Sequence, residues 1–312
     1  MECSQPVLDL HFHSDASDGK ADFATVVAVA ARHTEIKLLA LTDHDAIGAS
    51  VALAAVEPRA WVGAEFTAFA GERRMDILGL NLRPDCSELL EYLSARVAAR
   101  RARYLLFGEL LAAAGWVFAP DEAALSAPQL GQPHVARELR RHGANRDRLM
   151  HLGLGASEEA GRASTPDGHD PIYDGLLRSL APRIHAQTEN DVASSVEMVG
   201  LIHRAGGLAI LAHPWISPYD FGAREISDAR RDLEKLVEAG LDGLELWHPD
   251  QVTISAQAEL GAVCERYGFL ASAGSDDHRA DLAAFGSAAP LGAQAQEALA
   301  RILAAAEARR AV

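Results

Sequence analysis

Imidazole and carboxylate side chains recur at the ends of short apolar runs along this sequence. His11 and His13 close the run VLDLHFH, Asp18 follows in a polar turn, Asp43 and His44 close LLALTDH, and Glu65 lies inside WVGAEFTAF. Farther along, His213 closes LAILAH, and Asp276 and His278 follow FLASA. Neutral imidazole with carboxylate is the donor set of catalytic zinc, manganese and iron sites. One histidine at the end of a strand is more often a hydrogen-bonded structural residue. Here five of the thirteen histidines share that placement with carboxylates, which points to metal chemistry. His33, His142, His151, His169, His185 and His203 lack the placement and read as surface or packing residues.

For these groups to meet, the runs must be strands that end at one rim. Residues 7–13 read as a short buried strand, followed by a polar turn over 14–20 and a helix over 22–33. The unit recurs at 37–42 before AIGASVALAAV, at 208–212 after a helix over 191–204, and at 243–247 before ISAQAELGAVCERYG, and a last strand spans 269–273. Strands alternating with helices of this length imply an α/β fold with a mostly parallel sheet, open or closed into a barrel. In a barrel the C-terminal strand ends converge on one mouth. His11 and His13, two apart on a strand, point to the same face.

The middle of the chain differs. Residues 61–69 and 74–81, joined by AGER, read as a hairpin, after which 86–114 predicts one long amphipathic helix and 133–142 and 146–154 shorter ones. No strand pattern lies between them, so 84–184 reads as a helical insert in a barrel made of 1–83 and 185–312. The segment ASEEAGRASTPDGHDPIYDG within it predicts a loop, and 294–310 predicts a terminal helix.

Composition narrows the function. The 312 residues are 49% hydrophobic and 23% charged, which fits a large core rather than general disorder. A net charge of -15 argues against a surface that wraps duplex nucleic acid. Cys3, Cys86 and Cys264 are few and unclustered, so neither a disulfide framework nor a thiolate zinc site is expected. No apolar run is long enough for a membrane span and no basic leader precedes the first strand, so a cytoplasmic protein is expected.

In order along the chain, DLHFHSDASDG, LTDHD, GAEFT, LAHP and GSDDH resemble the motifs of the polymerase and histidinol phosphatase (PHP) family of phosphoesterases. The resemblance implies a distorted (β/α)7 barrel holding two or three divalent ions of manganese, zinc or iron. It implies that His11, His13, Glu65 and Asp276 hold a first ion, that Glu65 bridges to a second also bound by His213, and that Asp18, His44 and His278 hold a third. Glu65, Asp276 and His213 would then form the catalytic core, with a metal-bridging hydroxide as nucleophile. The insert is similar to that of the branch containing nucleotide bisphosphate phosphatases and a 5'-to-3' exoribonuclease. In that branch His134, at the head of an insert helix, would contact phosphate; as a helix-capping residue it would not.

The sequence departs from this branch at several places. RMDILGL offers Asp76 where an imidazole ligand is usual, which adds a negative charge, favours harder metals and weakens attraction for phosphate. Gln132 stands where an Arg would clamp phosphate, Gln251 replaces a common His, and the usual approach to Ile184 is missing, with Arg183 as the nearby cation. Trp215, Trp247 and His248 are rim candidates for a planar substrate group, with core packing as the other reading for the tryptophans. Arg96, Arg100 and Arg103 share one helical face, either solvated or tracking the phosphates of a short single strand. The expected activity is hydrolysis of a small phosphorylated substrate, nucleotide-like, either a 3',5'-bisphosphate or a short oligoribonucleotide, with no duplex or membrane partner. A histidinol-phosphate-type phosphatase and a non-catalytic metal-stabilised module are the alternatives.

Overall fold

The structure is a computed structural model that describes residues 7–71, 73–120, 122–125, 130–154, 172–177, 179–180, 184, 192–214, 226–249, 254–287 and 293–310. Seven strands run in sequence order around one sheet: β1 (Leu8–Asp9), β2 (Leu38–Leu41), β3 (Ala60–Ala70), β4 (Arg73–Leu80), β5 (Leu208–Leu211), β6 (Gly243–Trp247) and β7 (Leu270–Ala273). All neighbours pair in parallel except β4, which is antiparallel to both β3 and β5. Backbone bonds from Leu10 N to Ala273 O and from His13 N to Asp277 O bring the two edges together. The sheet is therefore a nearly closed barrel, the distorted (β/α)7 architecture that the strand alternation implies.

Strand composition explains the barrel. β2 and β5 are buried along their whole length and uniformly apolar, as strands covered on both faces must be. Helices Phe23–Arg32, Gly48–Val56, Ser195–Arg204, Ile254–Tyr267 and Ala293–Arg310 accompany the sheet. The helix starting at Ser195 begins four residues later than its pattern predicts. Ser194 caps it by accepting from Glu197 N while Glu197 reaches back to Ser194 N, and this reciprocal bonding fixes the start.

Two local differences from the sequence pattern matter for the site. The first strand is two residues rather than seven, because the chain beyond Asp9 divides its bonds: Thr42 N reaches Phe12 O on one side, and Phe12 bridges Asp277 on the other. The first hairpin strand runs one residue longer at each end than expected, the second keeps its expected length but lies one residue earlier, and Gly71, just after β3, adopts φ +63°.

The chain divides into two compact units, Met1–Leu93 with Val192–Val312, and Ser94–Asp191. The helix Ser87–Ala113 contributes Leu89 and Leu93 to the barrel core, and its later turns lie in the second unit. That unit has its own core of Tyr104, Phe107, Leu111, Trp116, Val135 and Leu139. Buried Asn145 ties it together by accepting from Val117 N and donating to the carbonyls of Val117 and Leu139. Among the described residues no helix is long and apolar enough to cross a membrane.

Candidate metal centre

At the mouth of the barrel the segments that follow the strands carry the titratable groups inward. His11 and His13 are fully buried, with their Nε2 atoms 3.2 Å apart. Each faces Glu65 Oε2, at 3.3 and 3.2 Å, and Asp276 Oδ1, at 3.4 and 3.1 Å. Glu65 sits within β3, and an isolated bridge between His44 and Glu65 extends the pairing of the β2 segment with β3. That bridge sets His44 Nδ1 3.2 Å from Glu65 Oε2, while His213 Nε2 lies 3.0 Å from Oε1. Glu65 thus faces four imidazoles, as a bridging carboxylate would.

Asp18 gathers the outer group. Its oxygens lie 3.3 Å from His278 Nε2, 3.6 Å from His44 Nε2 and 3.7 Å from His13 Nδ1. Four overlapping sets among the described residues have donor atoms close enough to share an ion: His13, Asp18, His44 and His278; His11, Glu65 and His213; His11, His13 and Asp276; and His44, Glu65 and Asp76. Asp76 therefore groups with His44 rather than in a set containing His213, and His13 reaches the outer set as well as the inner one.

The charges explain why such a cluster needs cations. Burial alone would raise the carboxyl pKa of Glu65, but His44 and His11 outweigh it and hold the group well below its usual range. Asp276 is likewise lowered well below its usual range, chiefly by His11 and His13 against the cost of burial. In return, burial disfavours charge on His13 and His213, yet bonds to Asp276 and Glu65 for His13, and to Glu65 for His213, raise them to about 10 and about 9. Without metal, protons on the imidazoles supply the positive charge that the carboxylates demand. Divalent ions would take the same place, so the donor set fits them.

Backbone strain marks the same residues. His213 has φ 26° and Asp276 φ 47°, left-handed values that cost a non-glycine residue about 1 to 3 kcal/mol and persist only where surroundings enforce them. Asp276 is held by its own N–H donating to His11 O at 2.7 Å.

Several expected residues have other placements. Asp43 is a turn clamp: it accepts from Ser14 N, Ser14 Oγ and Ser17 Oγ at 2.9, 2.7 and 2.6 Å. His248 is buried rather than on an open rim, with Nε2 3.3 Å from Asp276 Oδ2. Trp247 packs against the barrel core. In the second unit His134 Nδ1 accepts from Gly131 N at 3.3 Å, the helix-capping arrangement, and burial together with Arg137 lowers its pKa. Gln132 opens the same helix, Gln132–Arg141. Arg96 is buried and Arg100 and Arg103 are half-buried, all three engaged, so this face is not a solvated one. Arg183, Trp215 and Gln251 lie outside the described residues.

Two buried carboxylates were missed by motif reading. Glu245, in β6 and fully buried, accepts from His213 N through Oε2 at 2.8 Å and contacts His11 Nδ1 through Oε1 at 3.1 Å. Its signal in the sequence is a lone carboxylate inside the apolar strand GLELW. Asp9 accepts from Ser275 N at 3.0 Å and Gly286 N at 2.6 Å, binding the first strand to the segment that carries Asp276. Burial pushes Asp9 up to about 6 despite those bonds.

Along most of its length the chain is similar to hydrolases of phosphate esters. The chain is 29% identical over 278 residues to the 3',5'-nucleoside bisphosphate phosphatase of Chromobacterium violaceum, covering 87% of each chain. It is 28% identical to the phosphoribosyl 1,2-cyclic phosphate 1,2-diphosphodiesterase of Eggerthella lenta (86% of this chain, 93% of the other) and 28% identical to a 5'-3' exoribonuclease of Haemophilus influenzae (86% and 89%). Among solved structures, an amidohydrolase from Chromobacterium violaceum with bound sulfate and no metal superposes with TM-score 0.63 at 27% identity, covering 94% of this chain and 96% of the other. No family model matches the chain. The similarity to these hydrolases thus spans 86 to 87% of the chain and is not confined to the five motifs.

Proposed function

We propose that this chain hydrolyses a phosphomonoester of a nucleotide-like substrate, a nucleoside 3',5'-bisphosphate foremost, at a centre of two or three divalent ions in the barrel mouth. The observation that carries the reading is Glu65, one buried carboxylate facing His11, His13, His44 and His213, in a relative of the bisphosphate phosphatase that is matched over 87% of its length. His11, His13 and Asp276 would hold one ion, Glu65 and His213 a second, and Asp18, His44 and His278 a third, with Asp76 placed to join Glu65 and His44 at an ion they share. Such ions polarise a phosphoryl group and activate water at neutral pH.

The protein's own residues do the rest. Glu245 holds the His11 ring with its Nδ1 side engaged, which directs Nε2 into the site. Asp43 fixes the turn that carries Asp18. Manganese, zinc and iron all suit a set that mixes imidazole with carboxylate, and manganese suits its oxygen-rich part best. A cytoplasmic setting belongs to the same reading, since the free thiols Cys86 and Cys264 need no oxidising compartment.

The test is a substrate panel with the manganese-loaded chain: adenosine 3',5'-bisphosphate, AMP, a sugar phosphate, a five-membered cyclic phosphodiester and a short oligoribonucleotide. Highest kcat/KM on the bisphosphate is expected. A clear preference for the sugar phosphate would overturn the nucleotide assignment, and preference for the cyclic diester would place the chain with the diphosphodiesterase relative. No turnover of any ester by a fully metal-loaded chain would favour the non-catalytic module.

A further inference from the structure

A buried carboxylate beside Glu65 is costly unless something balances it. Around Asp76 the balance is visible. Thr67 is its direct partner across the antiparallel β3–β4 ladder and donates Oγ1 to Asp76 Oδ1 at 2.9 Å. Arg74 lies two residues earlier in β4, on the same face, and donates Nη2 to that same oxygen at 3.2 Å while reaching Thr67 Oγ1 at 3.3 Å. Asp76 itself is 7% exposed, whereas the Arg74 side chain is 43% exposed, so the guanidinium runs from the donor cluster toward solvent. Both contacts fall on Oδ1, and Asp76 has a carboxylate oxygen close enough to His44 and Glu65 to share an ion with them.

We propose that Arg74 and Asp76 work as one unit, in which the carboxylate ligates an ion and the guanidinium cancels its charge. The pair supplies an oxygen ligand without adding net negative charge to the centre. The proposal rests on Asp76 being a ligand. It replaces the expectation that Asp76 weakens attraction for phosphate, because the guanidinium that offsets the carboxylate is 43% exposed and open to an anion from solvent. Arg74 is thereby a specificity-determining residue for anionic substrates, acting by charge.

The experiment uses the full chain with Arg74→Gln, Arg74→Lys, Asp76→Asn, Asp76→His and the double variant Arg74→Gln/Asp76→His. Three quantities are read: manganese affinity by chelator competition, the competitive inhibition constant of inorganic phosphate, and the melting temperature of the metal-free protein. Arg74→Gln is expected to keep or tighten manganese while weakening phosphate about fivefold, the size of one partly screened charge at short range. Arg74→Lys, which keeps the charge, should stay within about twofold of wild type, and Arg74→Gln/Asp76→His should recover phosphate binding relative to Arg74→Gln. Unchanged phosphate inhibition in Arg74→Gln would overturn the proposal, as would an Arg74→Lys loss equal to that of Arg74→Gln. A manganese loss in Arg74→Gln as large as in Asp76→Asn would reduce Arg74 to a scaffold and overturn it too. Full manganese affinity in Asp76→Asn would instead remove the ligand reading on which the pair depends. A fall in metal-free melting temperature identifies a variant that fails by misfolding, and for that case Arg74→Lys decides.

Discussion

Glu245→Gln is the substitution that most directly separates a donor cluster held by its surroundings from one held by the metal. Glu245 and His11 are both completely buried, and Glu245 makes two bonds of opposite reach: Oε1 to His11 Nδ1 at 3.1 Å and Oε2 to His213 N at 2.8 Å. A carboxylate accepts both. An amide of the same shape has one acceptor and one NH2, so when His11 keeps its proton on Nδ1, as it must to present a bare Nε2, two donors meet at one end whichever way the amide turns. The charge assistance in the surviving bond is also lost, because against the cost of burial His11, His248 and His213 lower the Glu245 carboxyl, and Gln carries no charge. A bond to a charged group is worth about 1.5 to 3 kcal/mol against about 1 for a neutral one, and a buried unpaired donor costs about 1 to 3 kcal/mol.

Only the part of this loss that grows when His11 must present a bare Nε2 enters metal affinity. That part is about 1.4 to 2.8 kcal/mol, or about 10- to 100-fold weaker binding of zinc or manganese, the range usual for an outer carboxylate on a ligating imidazole. The remainder lowers the melting temperature of the metal-free protein by about 2 to 4 °C per kcal/mol. Chelator competition with the metal-free protein and a thermal melt in the presence of EDTA measure the two parts separately. Metal affinity within twofold of wild type would refute the argument, since it would mean that His11 needs no partner at Nδ1.

Gly274→Ala should destroy the centre through sterics alone: a Cβ there would lie 2.1 Å from His11 Cβ and 2.6 Å from Glu245 Oε1. A loss of at least about 3 kcal/mol of stability with lost metal is expected from the melt and elemental analysis, and a wild-type melt would contradict the packing. Metal loading should release protons, since His13 and His213 are held up to about 10 and about 9 in the metal-free chain and must be neutral to ligate. Affinity therefore rises with pH. The metal-free fold behaves in the opposite sense: protonation of these residues stabilises it fully below their unfolded value of 6.5, and that contribution is lost as pH climbs through 9 to 10. His11 is also held well above its ordinary value, so calorimetry near pH 7 in buffers of different ionisation enthalpy should give about three protons per full loading, and a release below one would contradict the assignment.

How much of this was legible in the sequence depends on which atoms do the work. Strand and helix alternation, a matter of hydrophobic period, was readable, and so was the reversal of β4 against β3, because two strand-like runs joined by so short a segment as AGER read as a hairpin. The first strand was overestimated since apolar residues such as Leu10 and Phe12 are buried there without continuous pairing to one neighbour. His11, His13, His44, His213 and Asp276 announced themselves by type and position. Glu245 and Asp9 did not, because a carboxylate inside an apolar run looks like an interruption until its partners, 234 residues away for Glu245 and 266 for Asp9, are known. The Arg74–Asp76 pair was half visible: Asp76 was noticed as a departure, but its compensation depends on a cross-strand neighbour and a same-face residue that only register supplies.

Register also explains how residues outside regular strands can act as a fixed donor set. His11, His13, His44, His213, Asp276 and His278 all lie beyond the ends of strands, where loops are ordinarily loose. Each segment is nonetheless tied to its neighbour through backbone bonds: Thr42 N to Phe12 O, Asp45 N to Glu65 O, Ala212 N to Asp76 O, Asp276 N to His11 O and His13 N to Asp277 O. Going round the mouth, every donor segment is thus fastened to another that carries a donor. The left-handed backbone at His213 and Asp276 shows that this fastening outweighs local preference, because an unrestrained loop would relax out of it. Ordering entropy for the donors is therefore lost at folding rather than at metal binding, and the binding free energy of the ions goes to neutralising Glu65, Asp276 and Asp18 instead of assembling them.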